Sequence, residues 1–399
     1  DRRWSWWEPF RRPGMGGHDE RARGHADDSG WGILDPETRG SHDMAEFESA
    51  HGTVTSSGLD GFDDVAVGHW TDAAARTGVT VVVLPEGSIG SAEVRGGAPA
   101  TREFDVLAPT ATVQRLDAVV LSGGSAFGLA AVDGVVSVLS AAGRGFPTAG
   151  GVVPIVAGMS LFDLAVGTSD VRPAPAHGAA AVEAALAVPV TASEDGAEGA
   201  GTWAGTGAGA GAIVSKWRGR DHAVPGGLVT ATISEGGFTV SALIAVNAFG
   251  DVVGHGPADD PWPSLVPADD GDVGEAPGDP APFGAASPPS ASPPAGENTT
   301  LGLIVTDAAL TKTECLLMAQ GAHDGYARAI TPPHCRVDGD AVVAAATGAV
   351  PLAPHDDPRR VAQIELLRWL AVRATAAALA TLADVAPPGP IPWIDAPAT

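Results

Sequence analysis

The residues best suited to carry out a reaction are Asn298, Thr299 and Thr300, which lie where a Pro- and Gly-rich stretch meets an apolar run. A hydroxyl residue at such a junction can attack the peptide bond on its amino side. Cleavage between Asn298 and Thr299 gives Thr299 a free α-amine, whose ordinary pKa of about 7.7 to 8.0 lets it accept the proton of its own hydroxyl. The local pattern alone favours a plainer interpretation, a linker that ends in a strand, so the choice depends on the rest of the chain.

A glycine turn at Gly123, Gly124 and Ser125 is a second candidate site, because it joins an apolar run to a stretch of helical composition. Backbone N–H groups at such a junction can bind a phosphate, a substrate carboxylate or an oxyanion. The turn has neither a Walker lysine nor GxGxxG spacing, which argues against a nucleotide. We expect it to bind an oxyanion or line a substrate pocket, with tight strand-to-helix packing as the alternative.

The elements that must position these residues are continuously apolar runs alternating with stretches of helical composition. Runs of this kind are typical of strands covered on both faces. A four-layer αββα sandwich and a single doubly wound sheet both explain them, and periodicity does not separate the two. Predicted strands cover residues 61–69, 78–85, 117–121, 207–214, 227–233, 239–246, 301–306 and 341–347, and predicted helices cover 126–141, 176–187, 311–330 and 357–384.

Two segments lack the pattern of a folded core. Residues 1–56 mix Trp, Arg, Gly, His and Asp without a sustained period, which predicts a disordered tail. Residues 256–297 are dominated by Pro, Ala, Gly, Asp and Ser, which predicts a disordered linker. We therefore expect one domain over residues 57–399, interrupted by this linker and divided by cleavage into residues 1–298 and 299–399.

Composition limits the classes of partner and cofactor. With 44% apolar residues among 399, the chain can bury a large core, and its formal charge of -25 opposes nucleic acid and anionic membranes. Cys315 and Cys335 have neither CxxC nor CxxH spacing, and His69, His177 and His323 are scattered over separate elements, so we expect no metal site and no cofactor. No run approaches the ~18 to 20 apolar residues of a membrane span, and no secretory signal is evident, which predicts a cytoplasmic protein.

Seven short blocks occur in a fixed order across roughly residues 60–350: residues 67–72, 95–103, 121–129, 150–154, 298–301, 306–312 and 323–325. Together they resemble the signature blocks of the L-aminopeptidase/D-esterase (DmpA-like) family of self-processing peptidases, and several blocks are far more specific than one. The chain is most similar to the threonine-nucleophile branch, which includes nylon-oligomer hydrolases. The resemblance implies an αββα sandwich like that of N-terminal-nucleophile hydrolases but with different connectivity.

The resemblance also assigns roles to individual residues. It implies self-cleavage between Asn298 and Thr299, with Thr299 as the nucleophile, whereas strand alternation alone does not choose between Thr299 and Thr300. Lys216 corresponds to a lysine near the nucleophile in the threonine branch, and a positive charge there would lower the pKa of the Thr299 amine or hydroxyl. A surface lysine is the alternative. Asn247 corresponds to an asparagine near the cleaved carbonyl, where its side-chain amide could donate to a developing oxyanion. Taken alone, an asparagine at a strand end is usually a turn residue.

Asp338 and Asp340 correspond to an acidic pair of the threonine branch. Two residues apart in an extended segment, they share a face, so one can accept a hydrogen bond from Thr299 while the other orients the first. A calcium site and a solvated turn are the alternatives that the spacing leaves open.

The resemblance therefore implies a self-processing aminopeptidase or amidohydrolase that acts through a Thr299 acyl-enzyme, without a cofactor. Its expected substrates are short peptides, amino-acid amides or oligomers, and a specific 6-aminohexanoate oligomer hydrolase is one alternative. The family commonly assembles tetramers of two-part protomers, so by analogy we expect this chain to form a homo-oligomer. Two further alternatives are an acyltransferase of the ornithine acetyltransferase type, whose nucleophile block is not evident here, and a non-catalytic ligand-binding protein.

Overall fold

Eighteen β-strands and four α-helices form the part of the chain that the computed structural model describes, residues 52–187, 200–203, 205–253, 298–384 and 391–394. The helices are α1 (Ala131–Ala141), α2 (Pro175–Ala187), α3 (Lys312–Ala329) and α4 (Pro358–Ala380). In chain order the strands are β1 (Thr53–Leu59), β2 (Phe62–Asp72), β3 (Thr77–Val83), β4 (Ile89–Val94), β5 (Thr101–Arg102), β6 (Ala118–Ser122), β7 (Phe146–Thr148), β8 (Gly151–Val153), β9 (Val156–Ser160), β10 (Ala200–Thr202), β11 (Ile213–Val214), β12 (Val224–Pro225), β13 (Gly227–Glu235), β14 (Phe238–Asn247), β15 (Asp251–Val252), β16 (Thr299–Ala308), β17 (Ile330–Thr331) and β18 (Ala341–Val350).

Two six-stranded sheets carry most of these strands. The first has the order β1-β2-β3-β6-β9-β5, and the second has the order β10-β13-β14-β16-β18-β4. Neighbours are antiparallel except for β6 with β9 and β16 with β18, which are parallel. The remaining strands form the two-stranded pairs β7-β8, β11-β12 and β15-β17.

The two sheets face each other across an apolar core and are covered outside by helices. Leu121 of the first sheet and Leu243, Leu301 and Val343 of the second belong to one buried cluster. A second cluster joins the first sheet to α1 and α2, and a third joins the second sheet to α3 and α4. Because the central strands are covered on both faces, their sequences are continuously apolar. The αββα prediction is confirmed, and the single doubly wound sheet is excluded.

Local signals explain where the outer helices of the second sheet begin. Thr311 and Glu314 form a reciprocal capping box at the start of α3, and the Asp357 side chain caps α4 just before Pro358. The stretch Pro358–Ala383 is long and apolar enough to cross a membrane by composition, yet half of its apolar window is buried within the fold. Its apolar face packs on the second sheet, as in the core helix of a globular domain.

The predicted strand over residues 207–214 is wrong. This glycine-rich segment forms a short 3-10 helix, Gly207–Gly209, and contributes only the two residues of β11. A Cβ on Gly207 would lie 2.2 Å from the hydroxyl oxygen of Thr80, and one on Gly211 would lie 2.0 Å from the carbonyl oxygen of Arg76. The glycines thus allow this backbone to lie close to neighbouring segments of the chain, and they do not pair in a sheet.

The predicted domain boundary differs from the structure at its amino end. Strand β1 begins at Thr53 and pairs with β2, so ordered structure starts before the predicted boundary at residue 57. Residues 1–51 and 254–297, which hold most of the predicted tail and the predicted linker, lie outside the described residues.

Candidate active site

Thr299 is the first residue of β16, which lies in the second sheet between β14 and β18. It is paired in register with Asn247, the last residue of β14. Only 3% of the Thr299 surface is exposed. The apolar residues that follow Thr299 anchor β16 between the two layers of core, and this fixes the position of the hydroxyl residue at the strand end.

The hydroxyl of Thr299 lies against the peptide bond that precedes it. Thr299 Oγ1 donates a short hydrogen bond to the carbonyl oxygen of Asn298. The same carbonyl oxygen accepts a hydrogen bond of 3.0 Å from the backbone N–H of Gly339. A Cβ on Gly339 would lie only 2.6 Å from Thr299 Oγ1. The 339 backbone therefore passes directly over the hydroxyl and contacts the carbonyl oxygen on which negative charge would develop.

Thr300 has a different environment from Thr299. Its backbone N–H donates to Asp340 Oδ1 at 2.8 Å. Its hydroxyl is buried and forms no hydrogen bond with any residue that the structure describes. The structure thus separates two neighbours that strand alternation left equivalent, because the Thr299 hydroxyl contacts the 298–299 peptide and the Thr300 hydroxyl does not.

Lys216 and Asn247 meet beside this strand end. Lys216 Nζ donates to the backbone oxygen of Asn247 at 3.0 Å and to its Oδ1 at 2.9 Å. Lys216 begins a short 3-10 helix after β11, rather than ending a long strand. The Asn247 amide nitrogen donates to the Phe162 carbonyl at 2.9 Å, so this contact orients the amide within the fold. Donation from Asn247 to an oxyanion remains a prediction.

Asp338 lies on the other side of the 298–299 peptide from Asn247. Its backbone forms a parallel β-bridge with Asn298, and its Oδ1 accepts from the Phe249 N–H at 3.2 Å. Burial raises the pKa of Asp338 well above its ordinary value, and the charge of Asp340 raises it further, whereas Lys216 lowers it. Asp338 is 1% exposed, so the predicted alternative of a solvated turn does not apply.

Asp340 binds the backbone that follows the nucleophile and is itself held by a histidine. Its Oδ2 lies 2.8 Å from His334 Nδ1 and accepts the His334 backbone N–H at 3.2 Å. The predicted arrangement, in which one carboxylate accepts from Thr299, is not observed, because the Thr299 hydroxyl donates to Asn298 instead. His334 was missed in the sequence: a lone histidine after Pro332 and Pro333 carries no local signal.

A loop from the amino-terminal half supports the acidic pair. The backbone N–H groups of Arg95 and Gly96 donate to the carbonyl oxygen of Asp340 at 3.0 and 3.2 Å, and that of Ala98 donates to Asp338 at 2.8 Å. A Cβ on Gly96 would lie 2.3 Å from the Asp340 nitrogen. The glycine pair in this sequence block therefore permits the loop to lie directly on the acidic segment.

The glycine turn does not form the predicted oxyanion site, because its N–H groups donate to other parts of the chain. The N–H groups of Gly123 and Ser125 donate to backbone carbonyls at 2.9 and 2.8 Å, and that of Gly124 donates to Asp163 Oδ1 at 2.7 Å. With all three donors engaged, the turn does not offer them to an oxyanion in this structure. Lining of the substrate pocket remains a prediction. Asp163, a buried acid without a sequence signal, is a further group that the sequence did not reveal.

The three histidines singled out in the sequence, His69, His177 and His323, are held within the fold. His69 Nδ1 lies 3.0 Å from the Thr80 hydroxyl, and the His177 ring stacks on Trp70 at 3.7 Å. The His323 ring lies 4.9 Å from the His334 ring, behind Asp340. Among the residues described, no three His, Cys, Asp or Glu side chains are placed to hold a metal ion.

The sequence as a whole is similar to a known peptidase family and to named relatives. The family model for peptidase family S58 matches residues 62–386. An uncharacterized aminopeptidase of Mycobacterium leprae is 43% identical over 274 residues, which are 68% of this chain and 71% of the relative. An uncharacterized aminopeptidase of Mycobacterium tuberculosis is 40% identical over 335 residues, which are 79% of this chain and 88% of the relative.

Solved structures share the fold at low sequence identity. The L-aminopeptidase D-Ala-esterase/amidase of Ochrobactrum anthropi, described as a variant of the Ntn hydrolase fold, matches with a TM-score of 0.55 and 16% identity. A β-aminopeptidase of a Burkholderia species matches with a TM-score of 0.51 and 21% identity. Each match covers 83% of this chain and 87% of the other.

Proposed function

The chain belongs to peptidase family S58 and is a hydrolase, and from this premise we propose that it is a self-processing aminopeptidase or amidohydrolase whose nucleophile is Thr299. The observation that carries the proposal is the position of the Thr299 hydroxyl against the Asn298 carbonyl, whose oxygen already accepts the Gly339 N–H. The hydroxyl, the Gly339 N–H and the backbone of the buried Asp338 meet at this one peptide bond.

The first reaction is proposed to be cleavage of the chain itself. Thr299 Oγ attacks the Asn298 carbonyl carbon, and the negative charge that forms on the oxygen is stabilised by the Gly339 N–H. The C–N bond then breaks, and the nitrogen of Thr299 takes a proton from Asp338, which burial keeps protonated. Asp338 recovers a proton from the attacking hydroxyl. Water hydrolyses the resulting ester, which leaves a carboxylate on Asn298 and a free amine and hydroxyl on Thr299.

The same groups are proposed to act on an external amide. Departure of Asn298 frees the Gly339 N–H to bind the carbonyl oxygen of a substrate. The Thr299 α-amine accepts the hydroxyl proton, Oγ forms an acyl-enzyme with release of the amine product, and water then releases the acid product. Lys216 holds the end of β14 through Asn247 and favours the unprotonated amine through its positive charge.

The proposed substrates are amides that carry a free amine: short peptides, amino-acid amides or amino-acid oligomers. The formal charge of -25 is compatible with substrates of positive charge. We further propose that the protein acts in the cytoplasm as a homo-oligomer, in keeping with the sequence expectations.

A panel of L-amino-acid and β-amino-acid p-nitroanilides, short peptides and 6-aminohexanoate dimer tests the proposal on the full chain. Thr299→Ala is expected to abolish hydrolysis of every active substrate. Thr300→Ala is the matched control, because it removes a neighbouring buried hydroxyl that forms no hydrogen bond with a described residue, and it is expected to retain activity. Unchanged hydrolysis by Thr299→Ala would contradict the assignment of the nucleophile.

A further inference from the structure

Residues 391–394 form a short segment, which we call the strap, that lies against two loops from an earlier part of the chain. Three main-chain contacts join the strap to the first loop, residues 165–167. They are the antiparallel β-bridge of Trp393 with Val166, the hydrogen bond of 2.8 Å from the Ile394 N–H to the Ala165 carbonyl oxygen, and that of 3.0 Å from the Gly167 N–H to the Pro392 carbonyl oxygen. The strap thus holds this loop through its backbone.

One side chain joins the strap to the second loop. The Cζ atom of Arg220 lies 4.8 Å from the centre of the Trp393 ring, and its Nη1 donates to the Ile394 carbonyl oxygen at 3.2 Å. A guanidinium over an aromatic face is attracted to it. Arg220 begins a 3-10 helix that follows the 3-10 helix Lys216–Arg218 with only one residue between them. The strap therefore also holds the segment just beyond Lys216.

The two loops lead to the same point, the end of β14 beside Thr299. The carbonyl oxygen of Phe162, close before the first loop, accepts the side-chain N–H of Asn247 at 2.9 Å. Lys216 Nζ, close before the second loop, donates to Asn247 Oδ1 at 2.9 Å. Asn247 in turn pairs with Thr299. A continuous set of bonds thus runs from the strap to the proposed active site along two routes.

Cleavage at residue 298 would place the strap and its two loops on different fragments. Residues 165–167 and Arg220 precede residue 298, whereas the strap follows it. The strap also lies beyond residue 386, where the match to the peptidase family ends. In the cleaved protein the strap would therefore bind one fragment to the other through a part of the chain outside the family match.

We infer that Trp393 and Arg220 are positioning residues, which hold the two loops together and thereby keep the Asn247 amide and the Lys216 ammonium in place beside Thr299. The inference rests on the proposed function. In that reaction Lys216 acts on the nucleophile. Its displacement therefore slows the chemical step and leaves binding of the substrate unchanged.

Trp393→Ala and Arg220→Gln test the inference in the full-length chain after cleavage, with kcat and KM measured per cleaved chain on the p-nitroanilide that wild type hydrolyses best. A misplacement of about 1 Å can cost on the order of 100-fold in rate, and a loop released at one contact stays in place part of the time. We therefore expect each variant to lower kcat about tenfold and to leave KM unchanged.

Two further variants separate this contact from a general loss of packing. Because the two side chains meet in one contact, the double variant of Trp393→Ala and Arg220→Gln should lose about as much kcat as either single variant. Trp393→Phe keeps an aromatic face beneath the guanidinium and should retain most of the wild-type kcat.

Trp369→Ala and Arg328→Gln are the matched controls. The Cζ atom of Arg328 lies 4.7 Å from the centre of the Trp369 ring, an exposed pair of the same chemistry between α3 and α4. These helices cover the outer face of the second sheet. Each control variant should keep the kcat and KM of wild type.

Hydrogen exchange supplies a readout that does not depend on activity. In an uncleaved Thr299→Ala background, Trp393→Ala should speed amide exchange about tenfold in peptides that cover residues 161–167 and 213–222, because both loops lose a contact. Trp369→Ala in the same background should leave the exchange of both segments unchanged.

An unchanged kcat in Arg220→Gln would overturn the inference, and this result remains decisive if Trp393→Ala does not fold, because Arg220 is exposed. A change confined to KM would overturn it as well, since the strap would then border the substrate and not position Lys216. Failure of the proposed function looks different, because wild type itself would hydrolyse no member of the panel. An active wild type whose kcat is shared by both strap variants would contradict the role of the strap alone.

Discussion

Gly339→Ala tests the contact between the acidic segment and the nucleophile. The added Cβ would lie 2.6 Å from Thr299 Oγ1 and 2.8 Å from the Ala98 carbonyl oxygen, whereas ordinary contact begins at 3.4 Å. The hydroxyl or the 339 backbone must therefore shift by about 0.8 Å. Because a misplacement of about 1 Å can cost on the order of 100-fold in rate, we expect cleavage at residue 298 to slow about 100-fold, or about 2.7 kcal/mol in activation free energy.

The assay for Gly339→Ala is the time course of fragment formation by pulse-labelled full-length chain, beside urea unfolding of the precursor. Overpacking alone is expected to cost about 1 to 3 kcal/mol of stability. Gly158→Ala is the control, because its Cβ would lie 2.5 Å from Val132 Cγ2, a comparable clash in the first sheet and away from Thr299. It should lose stability and keep its cleavage rate. Wild-type cleavage by folded Gly339→Ala would refute the proposed geometry.

Three further predictions concern the groups around this contact. Lys216→Met removes two charge-assisted hydrogen bonds to Asn247, so cleavage should slow about 10- to 100-fold in the same time course; an unchanged rate would exclude a role for the ammonium. His334→Gln weakens the support of Asp340 and should lower kcat about tenfold in p-nitroanilide hydrolysis while KM stays constant; a change confined to KM would contradict a positioning role. Burial lowers the pKa of His69 to about 4, so the unfolded chain takes up a proton between about pH 6.5 and 4 that the folded chain excludes, and stability is lost as pH falls through this window. Urea unfolding of the uncleaved Thr299→Ala chain, with and without His69→Gln, measures this effect. His69→Gln should remove a slope of about 1.4 kcal/mol per pH unit from the free energy of unfolding. Parallel pH profiles of the two chains would contradict this.

The main elements of the fold were predictable where burial dominates the sequence pattern. The runs that became β3, β6, β14 and β16 are continuously apolar because helices or a second sheet cover both faces. Strand β9 gave no comparable signal, since Gly158 interrupts it. A Cβ there would lie 2.5 Å from Val132 Cγ2 of α1, and sequence periodicity does not reveal such close packing of a helix on a strand.

The part of the candidate site that could be predicted is the part formed by reactive or polar side chains. Lys216, Asn247 and Asp338 were selected through the resemblance, and the structure brings them to the end of β16. Gly339 and Asp163 were missed, because one acts through a backbone N–H and the other is an isolated acid in an apolar segment. Such roles depend on contacts between distant parts of the chain, which local patterns do not encode.

The most direct test of the account is the mass and amino-terminal sequence of the purified full-length chain after incubation at neutral pH. We predict two fragments, residues 1–298 and residues 299–399, with Thr299 at the new amino terminus, and a single intact chain for Thr299→Ala. A wild-type chain that remains whole, or a Thr299→Ala chain that is cut at the same bond, would contradict it.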